Sequence, residues 1–238
     1  FTDENFWLSL KNTVYFTVLV VPFQCVLALA LAMLVSSKFR GVAIFRTMYF
    51  SPQLTSMVVI SILWTVLYNS NPNTGLINSL LVSIGLEPIN FLSNPKTAMN
   101  AIIFMSGWQG AGYQMMIFLA GLQGIPRDQY EAASVDGAGR FQQMLHVTLP
   151  GIAETFIVLL LLSIGNFISV GFDQYFIFQN PVTLKRLEVL DLYVYRLGLI
   201  NKSYSYSTAI GMIKSLISLV MIFGTNQLAK KIRGNSII

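Results

Sequence analysis

Charged residues are absent from long stretches of the chain, which alternate with short polar segments. The stretches without Asp, Glu, Lys or Arg cover residues 12–37, 47–86, 97–126 and 155–172, and residues 203–229 contain only Lys214. A helix that crosses a bilayer needs about 20 mostly apolar residues. The pattern therefore predicts spanning helices near residues 13–35, 48–68, 98–122, 152–171 and 208–228.

The stretch 47–86 is too long for one span and too short for two. Its residues 69–75, "NSNPNTG", consist of turn formers and divide it. The following "LINSLLVSIGL" is about half a membrane thick. We expect it to form a short helix that lies at the membrane interface.

Composition agrees with this pattern, since 54% of the 238 residues are hydrophobic and only 11% are charged. A soluble domain carries roughly 25% charged residues, so this chain has too little polar surface for one. We expect an all-α membrane protein with a single transmembrane domain over residues 1–238. The one cysteine, Cys25, excludes an intramolecular disulfide framework and a cysteine-based metal site, and its place in the first span indicates a packing residue.

Basic residues indicate which segments face the cytoplasm, because short cytoplasmic loops are rich in Lys and Arg. They follow the first and the last predicted spans: Lys38, Arg40 and Arg46, then Lys230, Lys231 and Arg233. Counting spans places residues 124–151 inside and residues 69–97 and 172–207 outside. This count starts the chain outside, which predicts a further span before residue 1 and a protein of six or more helices. Lys214 is expected to snorkel outward.

The cytoplasmic segment 124–151 has the features of two short helices joined by a hinge. Pro126 suits the first turn of a helix, and Gly137 and Gly139 allow positive φ angles. A second amphipathic helix follows, which Pro150 is expected to end as the next span begins. Its apolar residues are Phe141, Met144 and Leu145. The small alanines of the first helix let another surface approach closely, so we expect this segment to insert into a partner.

The same segment carries a gapped motif that is found in one transporter family. Its residues are Glu131-Ala132-Ala133, Gly137, Val147 and Leu149-Pro150. It resembles the signature loop of the permease subunits of binding-protein-dependent ABC importers. The stretches "FRTMYFSPQLTSMVVISILWTVLYN" and "AGLQGIPRDQYEAASVDGA" resemble the sugar-importing branch, that of the maltose and glycerol-phosphate permeases. After "FDQYFIF" the chain lacks the Gly-Gly-Pro of many sugar permeases, and its tail is more similar to permeases for oligosaccharides.

The resemblance implies a polytopic helical bundle of the type I ABC importer permease kind, in the bacterial plasma membrane. It implies that the loop is a coupling helix that docks on an ATP-hydrolysing subunit. The implied docking residues are Glu131, Ala132, Ala133, Asp136, Gly137, Leu149 and Pro150. The implied partners are two ATP-binding subunits that hold ATP and magnesium, a second permease in a heterodimer, an extracellular solute-binding protein and a carbohydrate substrate.

Residue chemistry predicts no catalytic role and no cofactor for this chain itself. It contains no Gly-Lys dipeptide and therefore no phosphate-binding P-loop. Its one histidine, His146, lacks the partners of a catalytic or metal site, so we expect it to be solvated or part of the docking surface. The basic residues cluster at span ends, which indicates membrane topology and not nucleic-acid binding.

Two stretches are candidates for the substrate path, because sugars stack on aromatic rings and bond to amides. The candidate residues are Trp108, Gln109, Tyr113 and Gln114 in the third span, and Asn166 and Phe167 in the fourth. The third span also contains Gly107, Gly110 and Gly112, which favour close helix packing with amides as interhelical contacts. Both interpretations stay open.

Three alternatives to sugar import remain. The first is a permease of the same kind for amino acids, peptides or phosphate. The second is a receptor or scaffold that binds a cytoplasmic partner and transports nothing. An ion channel is least favoured, since the sequence shows no pore loop or charge ring.

Overall fold

The computed structural model describes residues 3–36, 41–165 and 171–233. Throughout these ranges the regular structure is helical, which confirms the all-α prediction. The helices are α1 (Glu4–Ser36), α2 (Val42–Leu54), α3 (Met57–Leu67), α4 (Leu76–Ser83), α5 (Ala98–Gln123), α6 (Arg127–Val135), α7 (Arg140–Gln143), α8 (Leu149–Gly151), α9 (Ala153–Gly165), α10 (Phe172–Phe178), α11 (Leu184–Leu187), α12 (Leu190–Tyr195) and α13 (Tyr204–Arg233). The structure also has two π-helical turns. Met144–Thr148 joins α7 to α8, and Arg196–Ile200 follows α12.

Among the described residues, two helices are long and apolar enough to cross a membrane: Glu4–Ser36 and Tyr204–Gly224. The number rises to four if each of two bent pairs is one span. These pairs are Val42–Leu54 with Met57–Leu67, bent by 103°, and Arg140–Gly151 with Ala153–Leu160, bent by 53°. Helix α5 is long enough at 26 residues, but its middle contains amides and glycines. The total of five spans therefore stays a prediction.

The bend between α2 and α3 divides the span that the sequence predicts at 48–68. Pro52 lies near the end of α2 and supplies no backbone N–H, which weakens the last turn. Helix α3 then starts anew after Ser56.

The short helix expected in "LINSLLVSIGL" is present as α4. Its buried Asn78 ties the preceding turn to the following loop. The Asn78 Nδ2 donates to the carbonyls of Asn69, at 2.7 Å, and Ile89, at 2.9 Å. The Oδ1 of the same amide accepts from the Ile89 N–H at 2.7 Å.

The chain divides into two compact units, of which the first comprises Phe1–Val20, Thr55–Gly107 and Ile164–Phe223. In this unit α10 packs on α3 and buries Tyr175 completely. Buried Asn12 of α1 donates to the carbonyls of Lys185 and Glu188, at 2.9 and 3.0 Å. An apolar cluster of this unit contains Phe6, Leu190, Tyr193 and Ile210.

The second unit comprises Val21–Leu54, Trp108–Ser163 and Gly224–Ile238. Its core joins three helices and the base of the predicted cytoplasmic segment, through Ala28, Ala32, Val35, Ala111, Met115, Phe118, Ile125, Ile152 and Leu159. Cys25 is only 1% exposed, which confirms its packing role. Backbones come close in this unit, because a Cβ added at Gly112 would lie 2.1 Å from the Tyr49 carbonyl oxygen.

The second helix of the segment ends next to Pro150, at Gly151, as expected. The chain stays helical from Arg140 through Gly151, and the bend follows at Ile152. Proline in a helix removes one hydrogen bond and its ring clashes with the carbonyl four residues before it. The π turn Met144–Thr148 directly precedes Leu149 and Pro150, and its wider hydrogen-bond spacing accommodates the ring.

Candidate functional site

The first helix of the segment 124–151, α6, ends in a fully hydrogen-bonded glycine cap. The Ala138 N–H donates to the Ala133 carbonyl at 2.9 Å, and the Gly137 N–H donates to the Ser134 carbonyl at 3.1 Å. This is the bonding of a Schellman motif, which needs a left-handed residue after the cap. Gly137 fills that place with φ of +78°. The predicted hinge glycine is therefore a structural requirement of this turn.

Side-chain bonds brace the two halves of the segment against each other. The Gln143 Nε2 donates to the Ser134 Oγ at 2.9 Å and to the Ala138 carbonyl at 3.1 Å. The hydroxyls of Tyr130 and Thr148 lie 3.0 Å apart. Because these bonds connect α6 with α7 and the π turn, the segment is held as one body. We call residues 126–151 the coupling knob.

The base of the coupling knob is anchored in the core of the second unit. Ile125 and Ile152, which flank it, are buried in the same apolar cluster as Phe118 of α5. Tyr130, Val147 and Leu149 pack against this cluster. A Cβ added at Gly151 would lie 2.8 Å from the Ile125 Cδ1, so the two ends of the knob approach closely. The base of the knob is therefore packed against α5 and α9 within this core.

The tip of the coupling knob presents most of the predicted docking residues to solvent. Of these, Glu131, Ala132, Asp136, Gly137 and Pro150 are exposed, whereas Ala133 and Leu149 are half-buried. The tip also presents Val135, which is 87% exposed, and Phe141, which is 67% exposed. Sequence reasoning did not single out Val135. The residue is an apolar side chain on a helix with no buried residues, and only the structure shows that it points outward.

A cavity of about 460 Å³ lies beside the coupling knob within the second unit. It is lined by Met33, Ser36, Leu119, Leu122, Gln123, Tyr130, Arg140, Gln143, Met144 and Thr148. The lining includes Gln143 and Tyr130, the two residues that brace the knob.

His146 lies on the exposed side of the π turn. Its Nδ1 is 3.0 Å from the Gln142 carbonyl oxygen, one turn earlier. Among the described residues no group of three or more His, Cys, Asp and Glu side chains could hold a metal ion.

The predicted path residues of the third span do not share one environment. Gln109 and Gln114 are buried, and their Nε2 atoms donate to the Pro52 carbonyl at 3.4 Å and to the Ser163 Oγ at 3.2 Å. Trp108 is half-buried and Tyr113 is 49% exposed. A Cβ at Gly110 would lie 2.3 Å from the Gln24 side chain, so this face of α5 is packed. Both amides contact neighbouring helices of the second unit. A path role for Trp108, Gln109, Tyr113 and Gln114 stays a prediction.

The other predicted path residues, Asn166 and Phe167, lie outside the described residues, as do the basic residues Lys38 and Arg40.

Two ion pairs of the first unit involve residues of the segment 172–207. The Arg196 Nη1 lies 2.5 Å from the Glu188 Oε1, and Lys214 pairs with Asp191. Burial raises the pKa of the Glu188 carboxyl, although the charge of Arg196 opposes this. Lys214 therefore has a defined partner, Asp191 near the start of α12. The sequence had instead predicted that this side chain would snorkel outward.

A second polar contact of this unit involves Asp3, which accepts hydrogen bonds from the hydroxyls of Tyr193 and Tyr206. The bond from Tyr193 is the main cause that lowers the pKa of the Asp3 carboxyl. The contact fastens the start of α1 to α12 and α13.

Residues 24–234 match the family model described as "Binding-protein-dependent transport system inner membrane component". The match covers more than half of the chain and includes the whole coupling knob. The chain belongs to this family. The resemblance drawn from the motif at residues 131–150 is confirmed, and membrane localisation follows from the family.

The permease has curated relatives in Bacillus subtilis (strain 168). It is 37% identical over 233 residues to "Protein LplB", which covers 97% of this chain and 73% of the relative. It is also 37% identical over 235 residues to "Polygalacturonan/rhamnogalacturonan transport system permease protein YteP". This similarity covers 97% of this chain and 72% of the relative.

A solved structure of another protein has the same fold as the permease. It is the "bacterial alginate ABC transporter in complex with alginate pentasaccharide-bound periplasmic protein", with a TM-score of 0.91 and 29% identity. The similarity covers 99% of this chain and 82% of the matched chain. The fold of the permease is therefore that of an ABC importer permease.

Proposed function

We propose that the permease is the membrane subunit of an ATP-driven importer that moves an oligosaccharide into a bacterial cell. A solute-binding protein delivers the sugar outside, and the sugar passes between this permease and a second, similar one in the plasma membrane. The observation that carries the proposal is the coupling knob, a braced and exposed tip on a base that is buried in the helical core. The relatives whose names state a substrate support a carbohydrate.

In this proposal the coupling knob transmits work that the permease does not itself produce. Two ATPase subunits hold ATP and magnesium and grip the knobs from the cytoplasm. When ATP binding closes the ATPase pair, each knob moves as one body, because Gln143 and Tyr130 brace it. The buried contacts of Ile125 and Ile152 pass this motion to α5 and α9 and change which side of the path is open.

Two finer points of topology belong to the same proposal. The basic segments that follow the first and last predicted spans face the cytoplasm, and residues 172–207 face outward.

The proposal is tested by uptake into cells that contain the permease with its second permease, ATPase and solute-binding protein. Radiolabelled xylotriose, maltotriose and trigalacturonate are compared with labelled amino acids, dipeptides and phosphate. We expect ATP-dependent accumulation of a trisaccharide. Accumulation of an amino acid, a peptide or phosphate alone would establish the alternative substrate class, and no accumulation of any kind would favour the receptor or scaffold.

The coupling role is tested with Gly137→Asp, for which the chain offers a matched control. Gly137 and Gly85 have φ of +78° and +82°, and a Cβ at either would meet nothing within 4 Å. Aspartate at each position therefore costs a similar backbone strain of about 1–2 kcal/mol. We expect Gly137→Asp to abolish uptake with normal membrane insertion, while Gly85→Asp retains uptake. Equal uptake by the two variants would contradict docking at the knob.

A further inference from the structure

Helix α10 exposes an aromatic face in the segment 172–207 and buries the opposite one. Gln174, Tyr175 and Phe178 are buried. Phe172, Asp173 and Phe176 lie within about 100° of one another around the helix, since each residue turns the chain by about 100°. Asp173 is exposed and Phe176 is 43% exposed, whereas Phe172 is half-buried.

Three rings on this face hold one another in place. Phe172 and Phe176 stack with centroids 5.3 Å apart and planes 26° apart. Tyr195 of α12 contacts both, at 4.8 Å from Phe172 and at 5.6 Å from Phe176. Its ring stands nearly perpendicular to that of Phe176, at 77°. Edge-to-face and offset contacts of this kind fix ring orientation, so the exposed ring of Phe176 is preorganised.

Rings and a carboxylate together match the chemistry of a sugar. The face of an aromatic ring is negative, and it attracts the slightly positive C–H groups on the flat side of a pyranose. A carboxylate accepts hydrogen bonds from the sugar hydroxyls at the ring edge. Phe176 can supply the first contact and Asp173, three residues before it on the same side of α10, can supply the second.

Asp173 also argues against two other occupants of this face. A carboxylate that faces lipid hydrocarbon costs several kcal/mol, so the face is not a lipid contact. An anionic ligand would be repelled by the same carboxylate. A neutral, hydroxyl-rich ligand is favoured by both groups.

We propose that Phe172, Phe176 and Tyr195, with Asp173, form a subsite for a neutral sugar residue on the permease. The inference rests on the proposed function and adds to it the class of sugar. It predicts that uncharged oligosaccharides are preferred to uronate-containing ones at this subsite, whichever sugar the solute-binding protein delivers.

The test uses the complete transporter in cells, with xylotriose, maltotriose and trigalacturonate as labelled probes. We expect the wild type to take up at least one of the neutral trisaccharides. Phe176→Ala should lower its maximal uptake rate by about fivefold to tenfold, the value of one aromatic stacking contact. Phe176→Trp keeps a ring and should restore the rate. The control is Leu199→Ala, which removes a 64% exposed side chain from the same segment and should change nothing.

Asp173→Asn tests whether the carboxylate sets the preference for a neutral sugar. Removing one like charge at contact distance in water should raise trigalacturonate uptake about fivefold relative to the neutral sugar. If the wild type imports a neutral trisaccharide but Phe176→Ala does so at the wild-type rate, the subsite is wrong and the proposed function stands. Loss of the second permease from purified Phe176→Ala complexes, or a wild type that imports only trigalacturonate, would also overturn the subsite. A wild type that imports no sugar removes both proposals.

Discussion

The exposed Val135 of the coupling knob should contribute to the affinity of the permease for the ATPase subunit. Complete burial of a valine side chain stabilises a complex by about 1.5 kcal/mol, which is the lower end of the range for large apolar side chains. Val135 is 87% exposed in the isolated chain, so nearly all of this gain remains for a partner to provide. Because 1.4 kcal/mol is a tenfold change in affinity, Val135→Asp should raise the dissociation constant at least tenfold. The new charge beside Asp136 adds to this effect when the interface is dry.

The assay is co-purification of the ATPase subunits with the permease in detergent, followed by ATPase activity in nanodiscs. Val135→Asp should lose the ATPase subunits and the stimulation of ATP hydrolysis by the liganded solute-binding protein. Folding should be unaffected, since exposed positions seldom change stability by more than about 0.5 kcal/mol. Val182→Asp, at a position that is 66% exposed in the segment 172–207, is the matched control. Normal ATPase binding by Val135→Asp would show that Val135 is not buried against the ATPase subunit.

Two further predictions concern stability and are read from the melting temperature of the purified complex. Gly112→Ala places a Cβ 2.1 Å from the Tyr49 carbonyl oxygen and should cost about 1–3 kcal/mol, whereas Gly211→Ala, which meets nothing within 4 Å, should gain up to about 1 kcal/mol. Equal melting temperatures would contradict the close packing of α5. Lys214→Met leaves Asp191 unpaired and should cost about 2 kcal/mol, and adding Asp191→Leu should recover part of this loss. Additive losses in that double variant would show that the pair is uncoupled.

The sequence predicted the features that depend on local chemistry. Gly137 and Gly139 were both expected to allow positive φ. Gly137 adopts it because the carbonyls at the end of α6 need a left-handed cap, whereas Gly139 has φ of −69°. The short helix α4 and the buried Cys25 were likewise expected from turn formers and apolar context. In each of these cases the determining residues are neighbours along the chain.

Features that depend on distant residues were not predicted. The aromatic face of α10 joins Phe176 to Tyr195 across two helices, and the pairing of Asp3 with Tyr193 joins residues 190 positions apart. No periodicity within one segment signals such contacts.

The central claim is that the coupling knob faces the cytoplasm and docks on a second subunit. It is tested most directly by labelling Ala132→Cys with a membrane-impermeant maleimide. The natural Cys25 is 1% exposed, so background labelling should be low. We expect labelling in inside-out vesicles only, and protection of the thiol once the ATPase subunits are bound. Labelling from outside intact cells, or labelling that the ATPase subunits do not reduce, would contradict it.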